Sequence, residues 1–115
     1  MLRRELKGNT VATTLNGAIL SGAISIVLTD GSTFPVGSAA VPFVITVERG
    51  SGTEEKILIS GRSGNTLTVL TRGYDGTTAQ GHPTASLVDH VLDAATLQDM
   101  NTTVYDTKIL TWMGL

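Results

Sequence analysis

The chain has 115 residues, which suits one small domain, and its 8 basic and 10 acidic side chains give a formal charge of −2. We expect no nucleic-acid partner, because nucleic-acid binding usually needs a basic surplus and stacking aromatic residues, whereas this chain is slightly acidic and its aromatic content is only 4%. The absence of cysteine excludes disulfides, thiolate nucleophiles and cysteine-ligated metals. We expect no secretory signal, because the basic N-terminus is followed by neither an apolar segment nor a small-residue cleavage site. We expect no membrane span, because the most apolar stretch, residues 39–47, is short and contains Pro42.

Alternation of apolar and polar side chains dominates the first ninety residues and predicts β-strands. The alternating apolar sets are Ile24, Ile26 and Leu28; Phe43, Ile45 and Val47; Ile57 and Ile59; and Leu67 and Val69. Another strand is predicted at residues 87–91. Glycine-rich turns separate the runs, and residues 61–65 are expected to form a five-residue hairpin loop. The pattern predicts an all-β fold, a small antiparallel β-barrel or sandwich.

The C-terminal region departs from the strand pattern and predicts a short α-helix. Asp93 is a suitable N-cap, and Leu97, Met100 and Val104 lie at i, i+3 and i+7 on one helical face. An unusually apolar tail follows, with the large side chains Ile109, Leu110, Trp112, Met113 and Leu115. The helix face and the tail together form the candidate oligomer interface.

The predicted organisation has three parts: an N-terminal arm at residues 1–9, a β-domain at 10–92, and the helix with its tail at 93–115. An exposed apolar tail is costly in water. The tail can fold back on its own domain or become buried in a neighbouring subunit, and the sequence leaves both possibilities open.

The titratable residues form no recognisable catalytic or metal-binding motif. Asp89 and His90 are adjacent in a predicted strand and therefore point to opposite faces, and His82 lies in a predicted loop. Both histidines are interpreted as structural residues with satisfied hydrogen bonds. Glu54 and Glu55 are predicted to form a solvated rim at a strand entrance. Neither a nucleophile elbow nor a phosphate loop is present, so we expect no enzyme activity, no metal and no cofactor.

The most distinctive stretch is residues 72–78, with the sequence Arg-Gly-Tyr-Asp-Gly-Thr-Thr. One interpretation is a binding loop in which Arg72, Tyr74 and Asp75 contact a ligand. The other is structural: Arg72 pairs with Asp75, and Tyr74 covers the edge of the core. We favour the structural interpretation, because no feature of the sequence identifies a ligand.

This stretch belongs to a longer run, about residues 10–100, that resembles a module of tailed-bacteriophage virion proteins. The resemblance is most specific in the string R-G-Y-D-G-T-T followed by a histidine at His82. It also includes the strings T-T-L-N-G-A-I at residues 13–19, E-E-K-I-L at 54–58, G-R-S-G-N-T-L-T-V at 61–69 and H-V-L at 90–92.

The resemblance implies a non-enzymatic virion component, since proteins with this module occur in tails, baseplates, fibre bases and heads. It supplies no catalytic residues. In many such proteins a long fibre or receptor-binding region follows the module, whereas this sequence ends at Leu115, so we expect a decoration, adaptor or anchoring role. The implied partners are major capsid, connector or tail proteins and further copies of the chain, with assembly in the host cytoplasm. The alternative is recognition of a ligand or host surface through residues 72–78.

Overall fold

The structure, a computed structural model, describes Lys7 and residues 10–90. These residues form an all-β fold and contain no helix, which confirms the predicted fold class for this part of the chain. The strands are β1 (Thr13–Thr14), β2 (Ser25–Val27), β3 (Phe43–Val47), β4 (Glu55–Ser63), β5 (Thr66–Tyr74) and β6 (Leu87–Asp89).

The predicted C-terminal helix and the apolar tail lie outside the described residues, as does the N-terminal arm apart from Lys7. The same holds for every residue of the candidate oligomer interface: Leu97, Met100, Val104, Ile109, Leu110, Trp112, Met113 and Leu115. The described part of the chain has no helix with the length and hydropathy that a membrane crossing requires.

The six strands form one antiparallel sheet in the order β1-β6-β3-β4-β5-β2, which curls into a half-barrel. Its two edges approach each other, because Leu15, next to β1, bridges to Leu28, next to β2. The Asn16 amide also donates to the Val27 carbonyl at 2.9 Å. The curl encloses an apolar core whose buried members are Leu15, Ile19, Ile26, Leu28, Phe34, Phe43, Ile45, Val47, Ile57, Ile59, Leu67 and Val88.

The longest hairpin joins β4 to β5 and corrects the predicted five-residue loop. The paired strands run to Ser63 and resume at Thr66, so the turn contains only Gly64 and Asn65. Gly64 has a φ of +61°, a conformation that glycine adopts at little cost and that matches the twist of a two-residue hairpin. The Asn65 side chain accepts a hydrogen bond from the Gly31 amide at 2.9 Å, which ties this turn to the loop after β2.

Ile24 is a second correction to the predicted pattern. The alternation placed Ile24 on the same face as Ile26 and Leu28, yet Ile24 is 74% exposed while the other two are fully buried. Regular strand geometry begins only at Ser25, after a turn closed by a hydrogen bond from the Ala23 amide, so the two-residue period does not extend back to Ile24.

Candidate functional site

The carboxylate of Glu55, at the start of β4, is fully buried and accepts five hydrogen bonds. Its Oε2 accepts from Arg72 Nε at 2.8 Å and from the Gly73 amide at 2.9 Å. Its Oε1 accepts from Arg72 Nη2 at 2.9 Å and from the Gln80 amide at 3.2 Å. The His82 Nε2 lies 2.8 Å from the same oxygen. Together, Glu55, Arg72, Gly73, Gln80 and His82 form the Glu55 cluster.

Sheet register and one glycine bring this cluster together. Lys56 pairs with Tyr74 across the hairpin, which places Glu55 beside the end of β5. Gly73 has a φ of +57°, and a Cβ added there would lie 2.8 Å from the Ala79 amide nitrogen. Only a residue without a side chain lets the chain after β5 fold back this closely over the carboxylate.

Arg72 uses all five of its N–H donors inside the protein. Besides the two bonds to Glu55, Nη2 donates to the Gln80 carbonyl at 2.8 Å. Nη1 donates to the carbonyls of Leu20 at 2.7 Å and Ala23 at 3.2 Å. The side chain is 10% exposed. Arg72 therefore cross-links β4, the loop after β5 and the loop before β2.

The predicted pairing of Arg72 with Asp75 is wrong, although the two residues are close in sequence. Asp75 instead pairs with Lys56, its Oδ2 lying 3.1 Å from Nζ. The physical reason is backbone direction: Asp75 follows the end of β5 with a φ of +53°, which turns it toward the neighbouring strand. Arg72 meanwhile points inward, because register shifts interrupt the β4–β5 pairing after Lys56.

The expectation that Glu55 forms a solvated rim with Glu54 is also wrong. Glu55 shares the two-residue period of Ile57 and Ile59, and all three side chains are fully buried. That alternation was a signal in the sequence that could have identified Glu55 as an inward-facing carboxylate. The requirement of a buried charge for an opposite charge would then have pointed to an arginine on a neighbouring strand.

Burial of the Glu55 carboxylate favours its neutral form and by itself would raise the pKa. The hydrogen bonds from Arg72, His82 and the amides of Gly73 and Gln80 outweigh that effect and lower the pKa from 4.5 to about 2. Glu55 is therefore a permanently charged, fully hydrogen-bonded group at neutral pH. Such a carboxylate has no remaining lone pair directed at a substrate and cannot act as a general base in this arrangement.

His82 is a buried member of the cluster, and hydrogen bonds of its backbone fix its position. It exchanges two backbone hydrogen bonds with Ile19, each 2.9 Å long. Because Glu55 is ionised and only accepts, His82 Nε2 is the donor of their hydrogen bond. The second ring nitrogen, Nδ1, has no hydrogen-bond partner among the described residues and lies 3.7 Å from Glu48 Oε1. The prediction that His82 has all its hydrogen bonds satisfied is therefore wrong for this nitrogen.

Glu48 approaches His82 from the loop after β3, with a φ of +56° that is unusual for a residue with a side chain. It accepts hydrogen bonds from the hydroxyls of Thr53 and Ser86, and these bonds lower its pKa. Its carboxylate is thus held in place next to the imidazole of His82 rather than extended into solvent.

His90 lies apart from the Glu55 cluster, and its prediction as a hydrogen-bonded structural histidine is confirmed. Its Nδ1 donates to the Val44 carbonyl at 2.6 Å, and its Nε2 accepts from the Lys7 amide at 3.1 Å. The ring packs edge-on against Phe43, with 5.8 Å between ring centroids. The preceding Asp89 pairs instead with Arg49 at 2.8 Å. The adjacent acid and imidazole therefore do not converge on one site.

Within Lys7 and residues 10–90, no group of three or more histidine, aspartate or glutamate side chains is arranged to hold a metal ion. The chain matches no family model and no curated protein.

Proposed function

We propose that the chain is a non-enzymatic structural protein of a bacteriophage virion. In this role it is a multi-copy accessory component, either a capsid decoration protein or an adaptor of the head, tail or fibre. One observation carries the proposal: three residues of the stretch that most specifically resembles virion modules, Arg72, Gly73 and His82, bind the Glu55 carboxylate and so build the Glu55 cluster.

Most residues of the string at 72–78 make contacts within the domain. Arg72 and Gly73 bind Glu55, and Thr77 Oγ1 accepts from the Lys56 amide at 2.9 Å. The histidine that follows the string, His82, completes the cluster. A motif whose members bind one another is expected to mark a shared fold rather than a shared catalytic site. This agrees with a module that different virion proteins use as a docking domain.

Docking in this proposal uses the arm, the helix face and the apolar tail, and the partners are major capsid, connector or tail proteins. The proposed site of action is the virion, after assembly in the host cytoplasm. Apolar segments outside a small domain are suited to such contacts, because their burial in a neighbouring protein removes apolar surface from water.

Recognition of a ligand or host surface through residues 72–78 is the alternative function, and the geometry favours it less. Arg72 has no N–H left for a ligand, since all five donors are bound inside the protein. Tyr74 and Asp75 would have to provide the contact, and the Asp75 side chain is only 17% exposed beside Lys56.

Analysis of purified phage particles tests the proposal. Particles from a strain that encodes the chain are quantified by mass spectrometry, and an antibody to the chain locates it by electron microscopy. The proposal predicts several copies per particle at one defined position. Absence of the chain from intact particles would contradict it. The variant Tyr74→Ala/Asp75→Asn distinguishes the structural function from the alternative. The structural function predicts that this variant enters particles normally and still supports host binding. Normal incorporation with loss of host binding would favour recognition of a host surface.

A further inference from the structure

Two apolar side chains on the outer face of the sheet, the side opposite the core, are buried. On β3 and β4, Ile45 and Ile57 are members of the apolar core. Their neighbours Val44 and Leu58 pair with each other across the two strands and point to the opposite side. Val44 is 2% exposed and Leu58 3%, although neither is a member of the core. Something other than the core therefore covers them.

The cover lies over β3 and β4 and leaves the outer side chains of other strands open. Thr46, which also points outward from β3, is 1% exposed. On β2 and β5, the outward-pointing Ser25 and Thr68 face each other and are both exposed. On β6, the outward-pointing Leu87 is 44% exposed. We call the three buried side chains Val44, Thr46 and Leu58 the β3–β4 outer face.

The described loops contact the sheet on its core side or at its ends. The loops before β2 and after β5 meet where Ile19, a core residue, bonds to His82. The loop after β2 places Phe34 in the core, and the Phe34 carbonyl accepts from Arg62 Nε near the end of β4. The loop after β3 turns toward His82 through Glu48. The cover of the β3–β4 outer face therefore has to come from outside residues 10–90.

The cover is part of the same chain, because these side chains are buried in a structure that contains a single chain. The part of the N-terminal arm that the structure describes leads to the core side. The Val11 amide donates to the Thr33 hydroxyl at 2.8 Å, and the Lys7 amide donates to His90 at 3.1 Å. The His90 ring in turn packs against the core residue Phe43. This leaves the C-terminal segment, residues 91–115.

The C-terminal segment begins beside the β3–β4 outer face. Thr46 pairs with Asp89 in an antiparallel register, and the same register continued by two residues places Val91 opposite Val44. Alternation then gives Val91 the outward direction of Asp89. The segment also supplies an apolar surface of the kind that Val44 and Leu58 require, namely the predicted helix face of Leu97, Met100 and Val104.

We propose that the C-terminal segment folds back over the β3–β4 outer face of its own chain and packs its predicted helix face against Val44 and Leu58. Burial of apolar surface on both partners stabilises this contact. β3 and β4 then lie between two apolar layers, the core on one side and the helix on the other. The fold-back does not depend on the virion function. It narrows the docking elements of that function to the arm and the apolar tail, because the helix face is already buried.

Thiol reactivity of the full chain tests the fold-back, since the natural sequence has no cysteine. Val44→Cys places a single thiol on the β3–β4 outer face, and Thr68→Cys places one on the exposed outer side of β5. With a water-soluble disulfide reagent, Val44→Cys is expected to react about a hundredfold more slowly than Thr68→Cys. Equal rates in the two folded variants would overturn the proposal.

Substitutions in the C-terminal segment show what protects the thiol. Adding Leu97→Asn/Met100→Asn should raise the reaction rate of Val44→Cys by about tenfold or more, because the helix face is then polar. Thr102→Asn lies off the predicted helix face and is the matched control that should leave the rate unchanged. The thiol of Ile45→Cys faces the core and should stay slow in every background. An increase at Val44→Cys no larger than that at Ile45→Cys would overturn the proposal.

A spin label supplies a second measurement in the folded protein. A nitroxide attached to Thr102→Cys should broaden the amide signals of Val44 and Leu58 more than those of Ser25 and Thr68. Equal broadening at all four amides would overturn the fold-back. In a mixture of spin-labelled chain with ¹⁵N-labelled chain that carries no spin label, no broadening is expected. Broadening in the mixture would show that the segment covers a second copy, which would also overturn it.

The fold-back and the virion function fail separately in these experiments. If the chain is present in particles but the β3–β4 outer face is open, the fold-back is wrong and the virion function stands. If the segment covers this face but the chain is absent from particles, the virion function is wrong and the fold-back stands.

Discussion

Arg72 and Glu55 form a two-pronged ion pair inside the curled sheet, with Nε 2.8 Å from Oε2 and Nη2 2.9 Å from Oε1. The carboxylate is fully buried and the guanidinium is 10% exposed. Removing such charges from water costs several kcal/mol each, and the pair is tolerated because further hydrogen bonds satisfy both groups. The pair therefore acts as a structural cross-link whose loss leaves an uncompensated charge in the interior.

Neutralising Glu55 should destabilise the domain strongly. Glu55→Gln leaves the Arg72 charge buried without a counter-charge, and we expect a loss of about 3–5 kcal/mol in the free energy of unfolding. Glu54→Gln is the matched control, since Glu54 accepts an exposed hydrogen bond from the Gly50 amide that a glutamine carbonyl can still accept. Its effect should stay within about 0.5 kcal/mol. Chemical denaturation at pH 7 measures the free energy of unfolding of both variants. Equal losses in the two variants would contradict the structural role of Glu55.

The low pKa of Glu55 predicts a specific pH dependence. Because its pKa is about 2 in the folded protein and 4.5 ordinarily, the unfolded chain binds the proton more readily. The resulting stabilisation is complete above about pH 5 and is lost as the pH falls toward 2, by about 3 kcal/mol in total. Glu48 and Asp30, whose pKa values are also lowered, add smaller effects of the same sign.

Unfolding free energies measured from pH 2.5 to 7 in the natural chain and in Glu55→Gln isolate this effect. The slope with pH should be shallower in Glu55→Gln, because the remaining carboxylates are common to both proteins. Identical slopes in the two proteins would show that Glu55 does not titrate as the geometry requires.

Substituting Gly73 and Gly76 by alanine separates two effects. At Gly76 only backbone strain is expected, whereas at Gly73 steric crowding is added to it. Both have positive φ, +57° and +80°, but only at Gly73 would a Cβ meet neighbouring backbone, 2.8 Å from the Ala79 nitrogen. Gly76→Ala should cost about 1–2 kcal/mol from the left-handed conformation. Gly73→Ala should cost clearly more, because the chain must also move away from Glu55. Thermal unfolding of the two variants checks the order, and a smaller loss at Gly73 would refute the close approach.

Leu20 precedes β2 and Leu28 follows it, and truncation is expected to destabilise the domain strongly only at Leu28. Leu28 is fully buried, so Leu28→Ala should lower stability by about 2–5 kcal/mol. Leu20 is 78% exposed, so Leu20→Ala should change the free energy of unfolding by less than about 0.5 kcal/mol. Chemical denaturation of the two variants makes the comparison. Similar losses would mean that Leu20 packs within its own domain.

The all-β architecture was predictable because β-strands impose a strict alternation on buried residues. Ile45 and Ile57 illustrate this, since both belong to alternating sets and both are fully buried. The alternation fails where regular geometry ends, as at Ile24. It also cannot give the exact turn, since the two residues Gly64 and Asn65 suffice where five were expected.

The Glu55 cluster was less predictable, because a pairing between strands depends on register. Arg72 lies three residues from Asp75 and seventeen from Glu55, and local sequence favours the nearer partner. The shifts in the β4–β5 pairing decide the outcome and leave no simple mark in the sequence. The approach of Glu48 to His82 was equally hard to predict, because it requires a loop conformation with positive φ at Glu48.

A double-mutant cycle between Glu55 and Arg72 tests most directly whether this pair holds the domain together. Unfolding free energies are measured for the natural chain, Glu55→Gln, Arg72→Gln and the double variant. Since either single change leaves a buried charge unpaired, the double variant should be more stable than additivity predicts, by about 2–3 kcal/mol. Additivity within about 0.5 kcal/mol would show that the two side chains contribute independently and would contradict the account.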